Sequence, residues 1–332
     1  MKFGLFGGAL AGAASASDSQ NYKRFIDYVC EADAQGFHSV FVVEHHFTGM
    51  GQVSSTLNLL AYLAGVTERI RLGSGVAVLP WHNPVLLAEQ IATLDLLSGG
   101  RADIGVGKGY RPTEFQGFAI DPSEAPQRYE ETLDFLVKAL SATERFSHEG
   151  PHWRFDDIIV EPQSVQRPHP PIWVGAGSEG SIRATAARGF NLLLDHWATP
   201  PVVAQRIATY ADAISAAGCA YRPDKVGVAR AVQVVTDLEE YGRAIDLRVR
   251  FLLGSGLLEG PSLGVQNPAG LSREDLAREI AEAGALVGRP DEIIAKLQRL
   301  SAVGVDYVLL TDAGSSVEAL RTFAREVMPA FG

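Results

Sequence analysis

The sequence predicts an α/β fold of the TIM (β/α)8 barrel class. Three observations carry that expectation. Short apolar runs alternate with longer helical patterns along the chain, eight such runs occur, and they show little in–out alternation, as strands covered on both faces do. The candidate strands are residues 2–6, 39–43, 70–79, 102–106, 171–175, 191–194, 226–235 and 305–310, each rich in Val, Ile, Leu or Phe. Helical patterns fill 21–34, 54–67, 85–97, 127–143, 179–187, 201–217, 238–251 and 289–302, and 317–327 closes the series. Gly36, Gly189, Gly218 and Gly304 follow helices, where a left-handed cap favours glycine.

Three segments interrupt the alternation. Residues 110–125 read as a loop after the fourth strand. Residues 148–171 contain Trp153, Phe155 and several prolines and suit a small hairpin. Residues 254–271 are rich in Gly, Pro, Ser and Leu. Long irregular insertions in a barrel often serve as lids. The expectation is therefore a single domain over 1–332 with a lid insertion at about 254–285.

Composition narrows the function classes. With 46% hydrophobic and 20% charged residues, the 332-residue chain can bury a large core. A net charge of −10 disfavours nucleic acid and anionic membranes as partners. Cys30 and Cys219 are the two cysteines; they lack metal-ligand spacing and suit a reducing cytoplasm. Residues 1–16 imitate a short signal peptide. Gly4, Gly7, Gly8 and Gly12 dilute the apolar run, so they read as a first buried strand and a loop.

In a parallel barrel, catalytic groups stand at the carboxyl ends of strands. Four of the eight histidines fall there: His45 and His46 after the second strand, His82 after the third and His196 after the sixth. Paired with Glu44, either His45 or His46 suits acid–base work, since imidazole titrates near neutrality. Metal binding is not expected, because no second ligand set has recognisable spacing. Gly175-Ala176-Gly177-Ser178-Glu179-Gly180 follows a strand and opens a helix, which is the geometry of an anion site. With Asp195 at the next strand end it also has the spacing of a nicotinamide-dinucleotide fingerprint, although four βα units precede it. Lys108 adds a positive charge after the fourth strand.

Several blocks in order resemble the bacterial luciferase alpha subunit and its relatives. They are Met1-Lys2-Phe3-Gly4, Glu44-His45-His46-Phe47-Thr48, Leu72-Gly73-Ser74 with Val78-Leu79-Pro80, His82-Asn83-Pro84-Val85, Asp95-Leu96-Leu97-Ser98-Gly99-Gly100-Arg101, and Val327-Met328-Pro329. The resemblance implies a TIM barrel that binds reduced FMN. The flavin reacts with oxygen to form a flavin hydroperoxide, which oxygenates a small organic substrate such as an aldehyde or ketone. It also implies a separate flavin reductase as partner and a homodimer. By position, His45 matches the family's catalytic histidine and His46 its neighbour. Gly75 and Val76 match the dipeptide under the isoalloxazine ring, where relatives have a cis peptide. Lys108, Arg128, Gly177, Ser178 and Ser181 match phosphate contacts.

Two departures stand out. Lys108 replaces an arginine and lacks its bidentate fork. Gly107 replaces the cysteine of light-emitting subunits, which should reopen space beside the flavin and disfavours light emission. Three other readings are carried forward: a deazaflavin-dependent oxidoreductase on the same barrel, a non-catalytic flavin-binding subunit, and an NAD-dependent dehydrogenase using residues 175–195. Non-catalytic partners tend to lose the first histidine, which His45 argues against.

Overall fold

The protein is described by a computed structural model covering residues 1–9, 17–48, 53–255, 258, 267, 270–312 and 314–332. The fold class is the (β/α)8 TIM barrel, with parallel strands alternating with helices. The chain forms two compact units, Gly7–Trp173 and Met1–Phe6 with Val174–Gly332.

The chain begins with β1 (Lys2–Gly7), and the Gly7–Trp173 unit continues with α1 (Asp18–Ala34) and β2 (Ser39–Val42). Helix α2 (Thr56–Val66) leads to β3 (Arg71–Ser74) and β4 (Ala77–Val78), then α3 (Pro84–Leu97) and β5 (Ala102–Gly107). The expected strand at 70–79 is interrupted at Gly75–Val76, whose peptide is cis. β2 pairs in parallel with β3 from Ser39↔Arg71 to Val42↔Ser74, and β3 pairs with β5 at Leu72↔Ala102.

Buried polar groups brace these strands. Asp33 accepts the N–H groups of Glu68, Arg69 and Ile70 at 2.7–3.0 Å, fixing the entry to β3. Arg101 donates to the carbonyls of Ala64, Thr67, Ile70 and Ser98, closing the open end of α2. Asp95 accepts from the Gln166 backbone and amide at 2.8 and 2.7 Å. The Asp95–Arg101 block therefore holds the scaffold together.

The segment expected as loop 110–125 contains α4 (Pro112–Gly117), and α5 (Ala125–Ser141) follows it. Proline at the first helical turn supplies the starting φ there. The expected hairpin is present as β6 (Phe146–Glu149) antiparallel to β7 (Arg154–Ile158).

In the other unit, β8 (Ile172–Gly175) is followed by α6 (Glu179–Ala187), β9 (Asn191–Leu194), α7 (Pro200–Ala216) and β10 (Val226–Val234). Helices α8 (Leu238–Ser255) and α9 (Arg273–Ala283) precede β11 (Ala285–Gly288), α10 (Pro290–Ala302), β12 (Tyr307–Thr311) and α11 (Val317–Glu326). β1 pairs with β12, and β12 with β10. Residues 226–228 of β10 pair with β9, and its last four residues, 231–234, pair with β11. Within the insertion expected at 254–285, the second half contains α9 and the start of β11. Most of 254–271, the expected lid, and residues 10–16, the expected loop after β1, lie outside the described residues. Trp197, Val235, Ile245, Leu252, Ala277 and Ile280 join the core beneath α8 and α9.

The expectation that Gly107 reopens space is also corrected. Its place beside Val78 in the β4–β5 ladder brings it against Val76, and a Cβ added there would meet Val76 Cγ2 at 2.5 Å. The Val76 methyl fills the volume a side chain at 107 would need. Gly107→Ala alone should therefore destabilise the protein by about 1–3 kcal/mol, the usual cost of overpacking, and Gly107→Ala with Val76→Ala should restore most of it. Denaturant midpoints of the two variants measure this. An unchanged midpoint for Gly107→Ala would show that the contact relaxes freely.

Candidate active site

The end of β2 carries a buried carboxylate at the centre of a hydrogen-bond network. Glu44 is 4% exposed, and its Oε1 accepts from Trp81 Nε1 at 2.8 Å, His82 Nε2 at 2.9 Å and His46 Nε2 at 3.2 Å. A carboxylate only accepts, so both imidazoles present Nε2–H to it. Burial by itself would raise the Glu44 pKa. The hydrogen bonds from His46, His82 and Trp81 outweigh it and hold the carboxyl at about 2. Stability from this carboxylate is present above the ordinary carboxyl value of 4.5 and is lost as pH falls towards 2.

His45 faces a different acid. Its Nδ1 lies 3.0 Å from Glu114 Oε1, and the same oxygen accepts the His46 backbone N–H at 2.9 Å. Glu114 is 1% exposed and sits in the first turn of α4. An Nδ1–H donated to this carboxylate leaves the lone pair of a neutral His45 on Nε2. Burial lowers the His45 pKa, the positive charge of Arg111 lowers it further, and Glu114 opposes both. Near neutral pH the ring is therefore an uncharged base. The two histidines diverge, as consecutive strand-end residues must. His46 turns into an aromatic group with Phe118 at 4.8 Å, Trp81 at 5.9 Å and Phe47 at 5.8 Å between ring centroids. Trp81 stacks on Phe118 at 5.1 Å.

Lys108 follows β5 with an exposed side chain, its Nζ 6.0 Å from the Tyr129 ring centroid. Arg128, the residue before Tyr129, is held by Glu124 through a 2.8 Å hydrogen bond to Nε. Both cations thus border the first two turns of α5. Lys108, Gly109, Tyr110, Phe115 and Pro126 line a cleft of about 290 Å³ there, and Tyr110 stands edge-on to His45 at 6.4 Å.

In the unit Met1–Phe6 with Val174–Gly332, Gly177, Ser178 and Ser181 form the start of α6. Ser178 is the N-cap: its Oγ accepts the Ser181 N–H at 3.3 Å and donates to Ser181 Oγ at 2.9 Å. The first turn and its dipole suit an anion. The nicotinamide reading gains nothing from this unit. A Cβ at Gly180 would meet open space, so close approach does not require that glycine. Asp195, the expected ribose ligand, is already engaged. It accepts the N–H groups of Trp197 and Ala198 at 2.8 and 3.0 Å and pairs with Arg206 at 2.6 Å. Among the described residues, no group of three or more His, Cys, Asp or Glu side chains could hold a metal ion, and no helix is long and apolar enough to cross a membrane.

Sequence reading missed Glu114, which lies 69 residues from His45 in a segment taken for a loop. The one available signal was Pro112 opening a helix with an acid in its first turn. Trp81 and His82, also at the end of the third strand region, are bound to Glu44.

Comparison with known proteins agrees with this arrangement. A family model described as luciferase-like monooxygenase matches residues 1–307. The flavin-dependent trigonelline monooxygenase oxygenase component of Acinetobacter baylyi is 28% identical, over 100% of this chain and 96% of that protein. The uncharacterized protein y4vJ of Sinorhizobium fredii is 32% identical over 58% of this chain; the match spans about half of that relative's length, 55%. The crystal structure of monooxygenase RslO1 from Streptomyces bottropensis superposes with a TM-score of 0.86 and 28% identity, over 100% of both chains. On a (β/α)8 barrel whose β2 end carries Glu44, His45 and His46, a family match over nearly the whole sequence places the chain in the luciferase-like monooxygenase family, as an oxidoreductase.

Proposed function

We propose that this chain is a cytoplasmic, single-domain oxygenase that uses reduced FMN and O2 to oxygenate a small aldehyde- or ketone-like substrate. A separate reductase supplies the reduced FMN. The observation that carries the reading is His45, half-buried, neutral and oriented by Glu114 so that Nε2 can accept a proton. Bound reduced FMN would supply the electrons that divide O2 between substrate and water.

The protein's own groups then have distinct tasks. His45 Nε2 takes up and returns the proton that the reaction moves, and Glu114 fixes its tautomer. Glu44 anchors His46, His82 and Trp81, so that the aromatic wall excludes water without itself exchanging protons. The backbone of Gly75 and Val76 would support the flavin ring, as the family resemblance implies. Lys108 and Arg128 are cations beside α5, and Gly177, Ser178 and Ser181 are a helix start suited to an anion; the family resemblance implies a phosphate-binding role for each. The name of the trigonelline enzyme's oxygenase component supports a two-protein system with separate reduction.

A homodimer is part of the proposal. Tyr62 and Val66 on α2 and Leu86 and Leu97 on α3 are large apolar side chains exposed on two neighbouring helices. Each pair is spaced to share a helix face. A second copy would cover them.

Four outcomes test the reading. His45→Ala should retain FMN binding and lower oxygenation by about 10²–10⁴-fold in stopped-flow turnover. Activity should decline on acidification through a pKa below the ordinary 6.5, because protonation removes the base; an acid limb that persists unchanged in His45→Ala would remove His45 from proton transfer. Lys108→Ala should weaken FMN but not riboflavin, and equal losses would dissociate Lys108 from the phosphate. Tyr62→Glu with Leu97→Glu should yield monomer by light scattering, and an unchanged mass would exclude this face. Deazaflavin binding with hydride transfer and no oxygen uptake would overturn the FMN assignment.

A further inference from the structure

The unit Met1–Phe6 with Val174–Gly332 buries more positive charge than it neutralises. Asp195 and Arg206 pair at 2.6 Å and cancel. Arg230, 1% exposed on β10, donates to the carbonyls of Ala229, Asp195 and Ala198 at 2.7, 3.2 and 2.8 Å, and its Nε is buried without a partner. Arg248 on α8 lies over the Trp197 ring at 4.2 Å. Its Nη2 reaches the His196 carbonyl only at 3.5 Å, and its Nε too is buried without a partner. Among the described residues, no carboxylate forms an ion pair with either guanidinium.

These charges persist at neutral pH. Burial lowers Arg230 to about 10 against the pull of Asp195, and burial lowers Arg248 to about 10 as well. His196 gives no relief: burial and then the Arg248 charge hold it at about 4, so it is neutral. Lys296 is lowered by burial and by Arg299, and the Arg248 charge adds to that against the pull of Glu282 and Glu292. Unpaired charge in a low-dielectric setting is costly, as are orphaned N–H donors. The cluster follows the end of β9 and occupies β10, on the rim where this fold puts its chemistry.

We propose that Arg248, with Arg230 behind it, is an anion-reading subsite, and that the substrate of this oxygenase carries a carboxylate. A guanidinium lying on an indole directs its N–H groups in its own plane, and Nε with one Nη forms a fork matched to two carboxylate oxygens. Phe251, exposed and stacked on the buried Trp197 ring at 5.4 Å, gives the attached carbon skeleton an apolar surface. The substrate-class assignment rests on the oxygenase reading above; the anion site itself does not.

Calorimetric titration of the whole protein, with and without FMN, tests this with benzoate and its neutral isostere benzamide. Benzoate should bind saturably. Arg248→Met should weaken it by about 10- to 100-fold, the worth of a charge-assisted hydrogen bond. Arg248→Lys should fall between the two, and Arg250→Met, an exposed position on the same helix, should match the wild type. Benzamide should show no dependence on residue 248. Absent benzoate binding, or equal benzoate affinity in wild type and Arg248→Met, overturns the proposal. So does a loss confined to reduced FMN with benzoate unaffected, which would make the anion the reduced flavin ring. Failure of the wild type to bind FMN would instead sink the oxygenase reading and leave the benzoate comparison standing.

Discussion

The strand-end chemistry of this protein depends on one buried negative charge. Taking a carboxylate out of water is costly unless donors replace the lost hydration, and Glu44 gathers three on a single oxygen. That need draws the side chains of Trp81 and His82 to the end of β2 and turns His46 away from His45. Once His46 is committed to Glu44, His45 is free to meet Glu114. The neighbouring imidazoles thus acquire opposite characters: His46 is a fixed donor, and His45 keeps an available lone pair. One carboxylate per histidine achieves this, and neither acid needs to move.

A second constraint is volume. β4 and β5 approach closely enough that Val76 occupies the space beside Gly107, so the two positions share one volume. Departures from a family pattern need to be read in pairs for this reason. A missing side chain leaves a cavity only where no neighbour grows into it. The Asp95–Arg101 block is a structural case: Arg101 closes carbonyls that suit a long, planar, five-donor side chain.

Charge must likewise be read locally. The chain carries a net charge of −10, yet Arg206 and Arg230 stand by the single carboxylate of Asp195 near the end of β9, and Arg248 lies over Trp197. Surface carboxylates set the net value, and water screens them. Buried guanidinium groups are screened far less, so a few of them fix the ligand preference of their surroundings.

Alternation of apolar runs with helices was enough to determine the barrel class, since covered parallel strands leave no other periodicity. All eight expected strand regions are strands, with 70–79 divided at Gly75–Val76. α4 escaped because a six-residue helix carries too few side chains for a period to register, and α9 and β11 escaped because they follow a Gly-, Pro- and Ser-rich stretch that reads as one irregular insertion. Local sequence also marked Glu44, His45 and His46, because strand ends are where a barrel exposes polar groups. Which acid serves which histidine was decided only by tertiary structure. Glu114 joins His45 across 69 residues of chain, and no local rule of spacing spans such a distance. The same holds for Arg230 and Arg248, whose meaning lies in the carboxylates that folding did not bring to them.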